Sequence, residues 1–103
     1  MAFVVRFVQR FRPEHREAFM KLEAKFAELE RRRPDFPKGW RMQPYAGREP
    51  TNTLIWQFQF ATLSDAQAGL ARMEADPEHK RLFEAQVPYF AEAYTEIYEV
   101  LDF

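Results

Sequence analysis

The chain has 103 residues, fifteen basic and sixteen acidic, for a formal net charge of −1, so it allows one domain, residues 1–103, and favours neither nucleic acid nor an anionic membrane. It contains no cysteine, which excludes disulfides, thiol catalysis and cysteine-based metal sites and fits a reducing cytoplasm. Eleven Phe, four Tyr and two Trp make it 17% aromatic, more apolar surface than so small a core covers, which points to oligomerisation.

The opening MAFVVRFVQRF meets an arginine at position 6 and has no small-residue cleavage site, so it does not read as a signal peptide. No run approaches the roughly 18 apolar residues that span a bilayer, and a soluble, cytoplasmic protein is expected. Residues 2–11 alternate, Phe3, Val5, Phe7 and Phe11 against Val4, Arg6, Val8 and Arg10, which predicts a strand with Gln9 the one polar residue on its richer face. Pro13 suits a first helical turn, and Phe19, Leu22, Phe26 and Leu29 then recur at helical spacing until Pro34, predicting an amphipathic helix over about 13–33. PDFPKG is a loop, and GWRMQPYAG places Trp40 and Met42 opposite Arg41, Gln43 and Tyr45 on a strand that Pro44 confines to an edge or a bulge. TLIWQFQF alternates Leu54, Trp56, Phe58 and Phe60 with Thr53, Ile55, Gln57 and Gln59, and forms a hairpin with the strand before it.

Ser64 and Gln67 have capping-box spacing ahead of a short helix carrying Ala66, Leu70 and Met73, where Gly69 marks close packing. Asp76 followed by Pro77 restarts the chain as a cap and first position, and Pro88 ends or kinks that second piece. AYTEIYEVLDF alternates again and predicts a last strand. The order is βαββαβ. Right-handed crossovers turn it into a ferredoxin-like α+β fold, a four-stranded antiparallel sheet with helices on one face and the first and third strands as central neighbours. Phe3, Val5, Phe7, Leu54, Trp56 and Phe58 then face the helices, joined by Ile97, Leu101 and Phe103. The other face mixes Arg6, Arg10, Gln57, Gln59, Glu96 and tyrosines 94 and 98 with Val4, Val8 and Ile55, the texture of an interface with a polar cavity. A homodimer packed sheet to sheet is expected.

VVRFVQRFRPEHREAF, IWQFQFATLSDAQAGLARMEADPEHKRLF and EIYEVLDF together resemble the dimeric α/β-barrel superfamily. The tryptophan-bearing strand followed by a short helix and D-P-E resembles its NIPSNAP-like branch, and the first and last strands resemble its antibiotic-biosynthesis-monooxygenase-like branch. The resemblance implies a barrel of two sheets whose interior takes small hydrophobic or aromatic molecules. Its members include oxygenases, isomerases, dehydratases and haem-degrading enzymes, beside others with no known activity.

Several residues are candidates for chemistry on the barrel-facing side. Arg6 suits stabilisation of an oxyanion, Glu96 or Tyr98 proton handling, and Gln57 orientation of a substrate, with Arg10, Gln59 and Tyr94 around them. The competing reading pairs Arg6 or Arg10 with Glu96 across the dimer. The expected activity is a cofactor-independent, monooxygenase-like reaction on an aromatic or polyketide-like compound, and the alternative is a non-catalytic NIPSNAP-like ligand-binding or interaction protein. His79 in ADPEHKRLF corresponds by resemblance to the histidine of the haem-degrading members. The asparagine and tryptophan that accompany it there are missing here, and an exposed first-turn histidine is expected.

Trp56 reads as core, and Trp40 as core or dimer edge. His15 with Glu14 and Glu17, or His79 with Asp76, falls short of a metal-ligand set, and no metal is expected. ERRR at 30–33 with Lys38 and Arg41 reads as a solvated helix end. The third strand lacks the glycines and exposed aromatics of an RNA-binding sheet.

Overall fold

A computed structural model describes residues 2–103. Its elements are β1 (Ala2–Phe11), α1 (Arg16–Arg32), β2 (Gly39–Met42), β3 (Thr53–Phe60), α2 (Leu63–Ala75), α3 (Pro77–Gln86) and β4 (Phe90–Val100), with single 3-10 turns at Pro13–His15 and Val87–Tyr89. The strands form one antiparallel sheet in the order β2-β3-β1-β4, with β1 and β3 central. This is the expected ferredoxin-like arrangement. Pro44 follows an edge strand of only four residues, as its missing N–H requires.

Register sorts the side chains between two faces. Phe7 lies between Trp56 and Thr95, and Val5 between Phe58 and Ile97, on the helix side. Arg6 lies between Gln57 and Glu96 on the open side. The core is Val5, Leu29, Phe36, Trp56, Phe58 and Met73, with a second cluster of Phe11, Phe19 and Leu54. Close approach has identifiable causes at two glycines. A Cβ on Gly39 would lie 2.1 Å from the Gln57 carbonyl oxygen, and one on Gly69 would lie 2.7 Å from the Phe60 ring. The first lets the edge strand approach β3, and the second lets α2 settle on the sheet.

Three details depart from expectation. The cap of α2 is Thr62, whose hydroxyl accepts from the Asp65 N–H at 3.0 Å, in place of a box at Ser64. Ile97 has the predicted side but remains 44% exposed, and Leu101 and Phe103 lie beyond the strand in solvent. The helices therefore leave the inner side of β4 bare. Arg41, grouped with the solvated basic residues by sequence, pairs in register with Trp56 and turns under the helices, while Trp40 pairs with Gln57 and stands on the open face.

Candidate functional site

The open face gathers part of the predicted set. Arg6 donates from Nε and Nη2 to Gln57 Oε1 at 3.1 and 2.9 Å, and its guanidinium lies 5.4 Å from the Tyr98 ring centre. Glu96 is the cross-strand neighbour of Arg6, and its hydrogen bond holds the Tyr98 phenol above its ordinary range. Arg10 departs to Glu92 at 2.5 Å, leaving Glu96. Tyr94 donates to Glu49 Oε1 at 2.7 Å, and that carboxylate pushes the phenol up to about 12. Glu49 belongs to the segment 43–52 between β2 and β3, which thereby reaches the far edge of the sheet. Gln59 pairs with Val4 and is exposed, away from this group. A hollow of about 660 Å³ lies here, and most of the polar groups around it already hold one another.

A second hollow, about 550 Å³, lies on the other side of the sheet, between the helices and the bare inner side of β4. Its walls include the aromatic rings of Phe7, Phe26, Trp56, Phe83 and Phe90. Phe7 and Trp56 stack at 5.5 Å, since residues paired in register on one face bring their rings together. Small residues on β4, Ala93 and Thr95, leave the space open, and Gln9 projects into it from β1.

One end of this cleft is polar and buried. Arg41 donates from Nε to Glu23 at 2.6 Å and from both Nη atoms to Glu30 at 2.9 and 2.8 Å, while Gln86 Nε2 donates to the other Glu23 oxygen at 2.9 Å. The side chains of Glu23, Glu30 and Arg41 are 7%, 10% and 21% exposed. Glu23 and Glu30 are seven residues apart on α1, two turns along one face, so both meet the same guanidinium. Burial works against the Arg41 charge, but Glu30 and Glu23 outweigh it and raise its pKa.

His79 stands beside this cluster. Asp76 caps α3 by accepting the His79 backbone N–H at 3.0 Å and is itself held by Arg33. The cap fixes the imidazole at the start of α3, edge-on to Phe26 at 5.0 Å. The expected exposed histidine is therefore half-buried. Burial lowers its pKa below the ordinary 6.5, against opposing pulls from Asp76, Glu23 and Glu74, and so favours the neutral ring. A neutral imidazole at a cleft wall accepts a proton.

Sequence reasoning placed Glu30 and Arg41 in a solvated helix end, whereas both are drawn into this buried cluster, and it passed over Glu23 and Gln86. Two signals were present, of which one was that Glu23 and Glu30 interrupt the apolar face of α1, adjacent to Leu22 and Leu29. The other was Gln9, the polar exception on the richer side of β1. Among the described residues, no group of three or more His, Cys, Asp or Glu is placed to hold a metal ion. No helix is long and apolar enough to cross a membrane, among the same residues.

No family model and no curated protein matches the chain. Solved structures do. A NIPSNAP family protein from Agrobacterium tumefaciens is 15% identical, with a TM-score of 0.81 over 100% of this chain and 96% of that one. A NIPSNAP-like domain protein from Burkholderia xenovorans is 18% identical, with a TM-score of 0.79 over 99% and 87%. A Nitrosomonas europaea protein named for the antibiotic biosynthesis monooxygenases is 17% identical, with a TM-score of 0.72 over 97% and 90%. The ferredoxin-like fold expected from the order of the elements is thus the fold shared with these solved structures.

Proposed function

We propose that the chain is a small-molecule enzyme that takes a flat aromatic compound into the cleft between helices and sheet, with His79 as general base. The observation that carries this reading is a half-buried imidazole, packed against Phe26, at the wall of an open cleft that Phe7, Trp56 and Phe90 also line. The expected reaction is monooxygenase-like. His79 takes a proton from a ring methylene made acidic by a conjugated carbonyl, as in an anthrone or the keto tautomer of a phenol, and Asp76, Glu23 and Glu74 favour the imidazolium that results. The electron-rich carbon then reacts with dissolved dioxygen. One oxygen atom remains as a new carbonyl, and the other leaves as water with the two hydrogens that the carbon loses.

The open face serves a different purpose in this proposal: two copies pack there, sheet to sheet. Trp40, Tyr94, Tyr98 and Val100 are 53%, 38%, 46% and 44% exposed on the lone chain, a concentration of apolar area that a second copy covers. Arg6, Glu96 and Tyr98 retain a possible catalytic part as a second reading, which the Arg6–Gln57–Tyr98 grouping favours. Likeness to the NIPSNAP structures supports a third, a ligand carrier without chemistry. Oxygen uptake separates these readings. With phenols, anthrones and ring-activated aromatic amines as substrates, His79→Ala is expected to reduce turnover about 100-fold or more while Arg6→Ala leaves most of it. Loss with Arg6→Ala alone moves the chemistry to the open face, and no turnover by the parent chain supports the carrier.

A further inference from the structure

Acidic side chains outnumber basic ones at the polar end of the cleft. Glu23 and Glu30 share a single guanidinium, that of Arg41, and the remaining partner of Glu23 is the neutral amide of Gln86, itself only 1% exposed. Among the side chains that hydrogen-bond to one another, the group thus has two carboxyls to one guanidinium, and a further cation, Lys38, meets Glu30 only at its backbone carbonyl. The cleft's other charged residues, Glu74 and Lys80, lie at its exposed mouth with opposite signs and leave that ratio standing. Solvent that enters an open cleft screens such charge. A ligand that displaces that solvent without replacing its screening leaves a buried carboxylate short of a counter-charge, which is costly.

The walls bear on the same question. Faces of Phe and Trp rings attract cations, and the Arg41 guanidinium already lies 5.4 Å from the Trp56 ring centre. Phe7, Phe26 and Phe90 line the same space. An aromatic box closed at one end by two carboxyls is the chemistry that recognises an ammonium ion.

We propose that the cleft selects aromatic compounds bearing a protonated amine, with the rings against the aromatic walls and the ammonium at the Glu23–Glu30 end. The proposal rests on the cleft being the ligand site, and it specifies the class of ligand. Carboxylate-bearing aromatics are disfavoured by the same two carboxyls.

Three probes of matched shape test it: 1-naphthylmethylammonium, 1-naphthalenemethanol and 1-naphthoate. Binding is read by calorimetry and, in a Trp40→Phe variant, by the one remaining indole N–H resonance, which belongs to Trp56 in the cleft wall. The ammonium is expected to bind about tenfold more tightly than the alcohol, the carboxylate to bind weakest, and all binding to move the Trp56 resonance. Glu30→Gln is expected to narrow the ammonium-to-alcohol ratio to within about threefold. Equal affinity for ammonium and alcohol, or tighter binding of naphthoate, overturns the charge selectivity but leaves the cleft as the site. If no probe moves the Trp56 resonance, the cleft reading falls and this proposal with it. The ratios in the parent chain decide the matter even if Glu30→Gln fails to fold.

Discussion

The two sides of this sheet handle charge in opposite ways. On the open side, Arg6, Arg10 and Tyr94 each meet a partner near solvent, and the pairs are local, formed between neighbouring strands or with the segment 43–52. On the helix side, Arg41 joins β2 to two carboxylates of α1, and Gln86 brings in α3. Surface pairs of the first kind contribute little because water and salt screen them. The buried network connects three elements in a medium that screens poorly, so each member depends on the others. A charged residue therefore matters to this fold according to its depth, and the side that sequence suggests is mostly apolar is where charge matters most.

The sharpest way to break this contrast is to remove the one cation. Arg41→Met leaves Glu23 and Glu30 buried without a counter-charge and is expected to cost about 3–5 kcal/mol, measured by urea unfolding. A loss below about 1 kcal/mol would show the cluster behaving as if it were on the surface.

His79 gives a smaller effect with a distinct pH signature. Its folded pKa lies below the ordinary 6.5, so the unfolded chain binds the proton first. Stability is then fully present above that ordinary value and falls as pH descends through it towards the lower folded value. His79→Gln should flatten this part of the curve of unfolding midpoint against pH. An identical slope in parent and variant between about pH 7.5 and 5.5 would remove His79 from the buried side. The smallest effect is expected on the open face, where Arg10→Met should change stability by less than ~1 kcal/mol in the same urea assay. A loss equal to that of Arg41→Met would erase the distinction between the two sides.

Much of the fold was legible because strand alternation and helical spacing are local signals. Val5, Phe7, Trp56 and Phe58 lie on the predicted side, Asp76 caps as predicted, and Gly69 marks close packing. The cleft was less legible. Arg41 faces inward because the hairpin register pairs it with Trp56, and alternation gives two opposite faces without saying which of them a short edge strand turns inward. Glu23 and Glu30 interrupt the apolar face of α1, but the partner that lets them be buried there, Arg41, comes from β2 and is set by tertiary structure. His79 has charged neighbours in sequence, but its burial comes from Phe26 and Phe36, on segments far from it along the chain. The bare inner side of β4 depends on how far the helices extend across the sheet, which no periodicity records.

β1 and β4 are the first and last elements in chain order, yet they lie side by side, with Ala2 opposite Val100. Almost every intervening residue must therefore be enclosed in a loop before that ladder can close, and such non-local pairing slows folding relative to a helical bundle of the same size. During synthesis, β1 has only β3 as a partner until β4 emerges. Its other edge, with backbone N–H and C=O groups unpaired, remains available to any extended chain nearby. The cleft wall contributed by Ala93 and Thr95 is consequently among the last parts of the molecule to exist, and conditions that delay β4 delay the site as well.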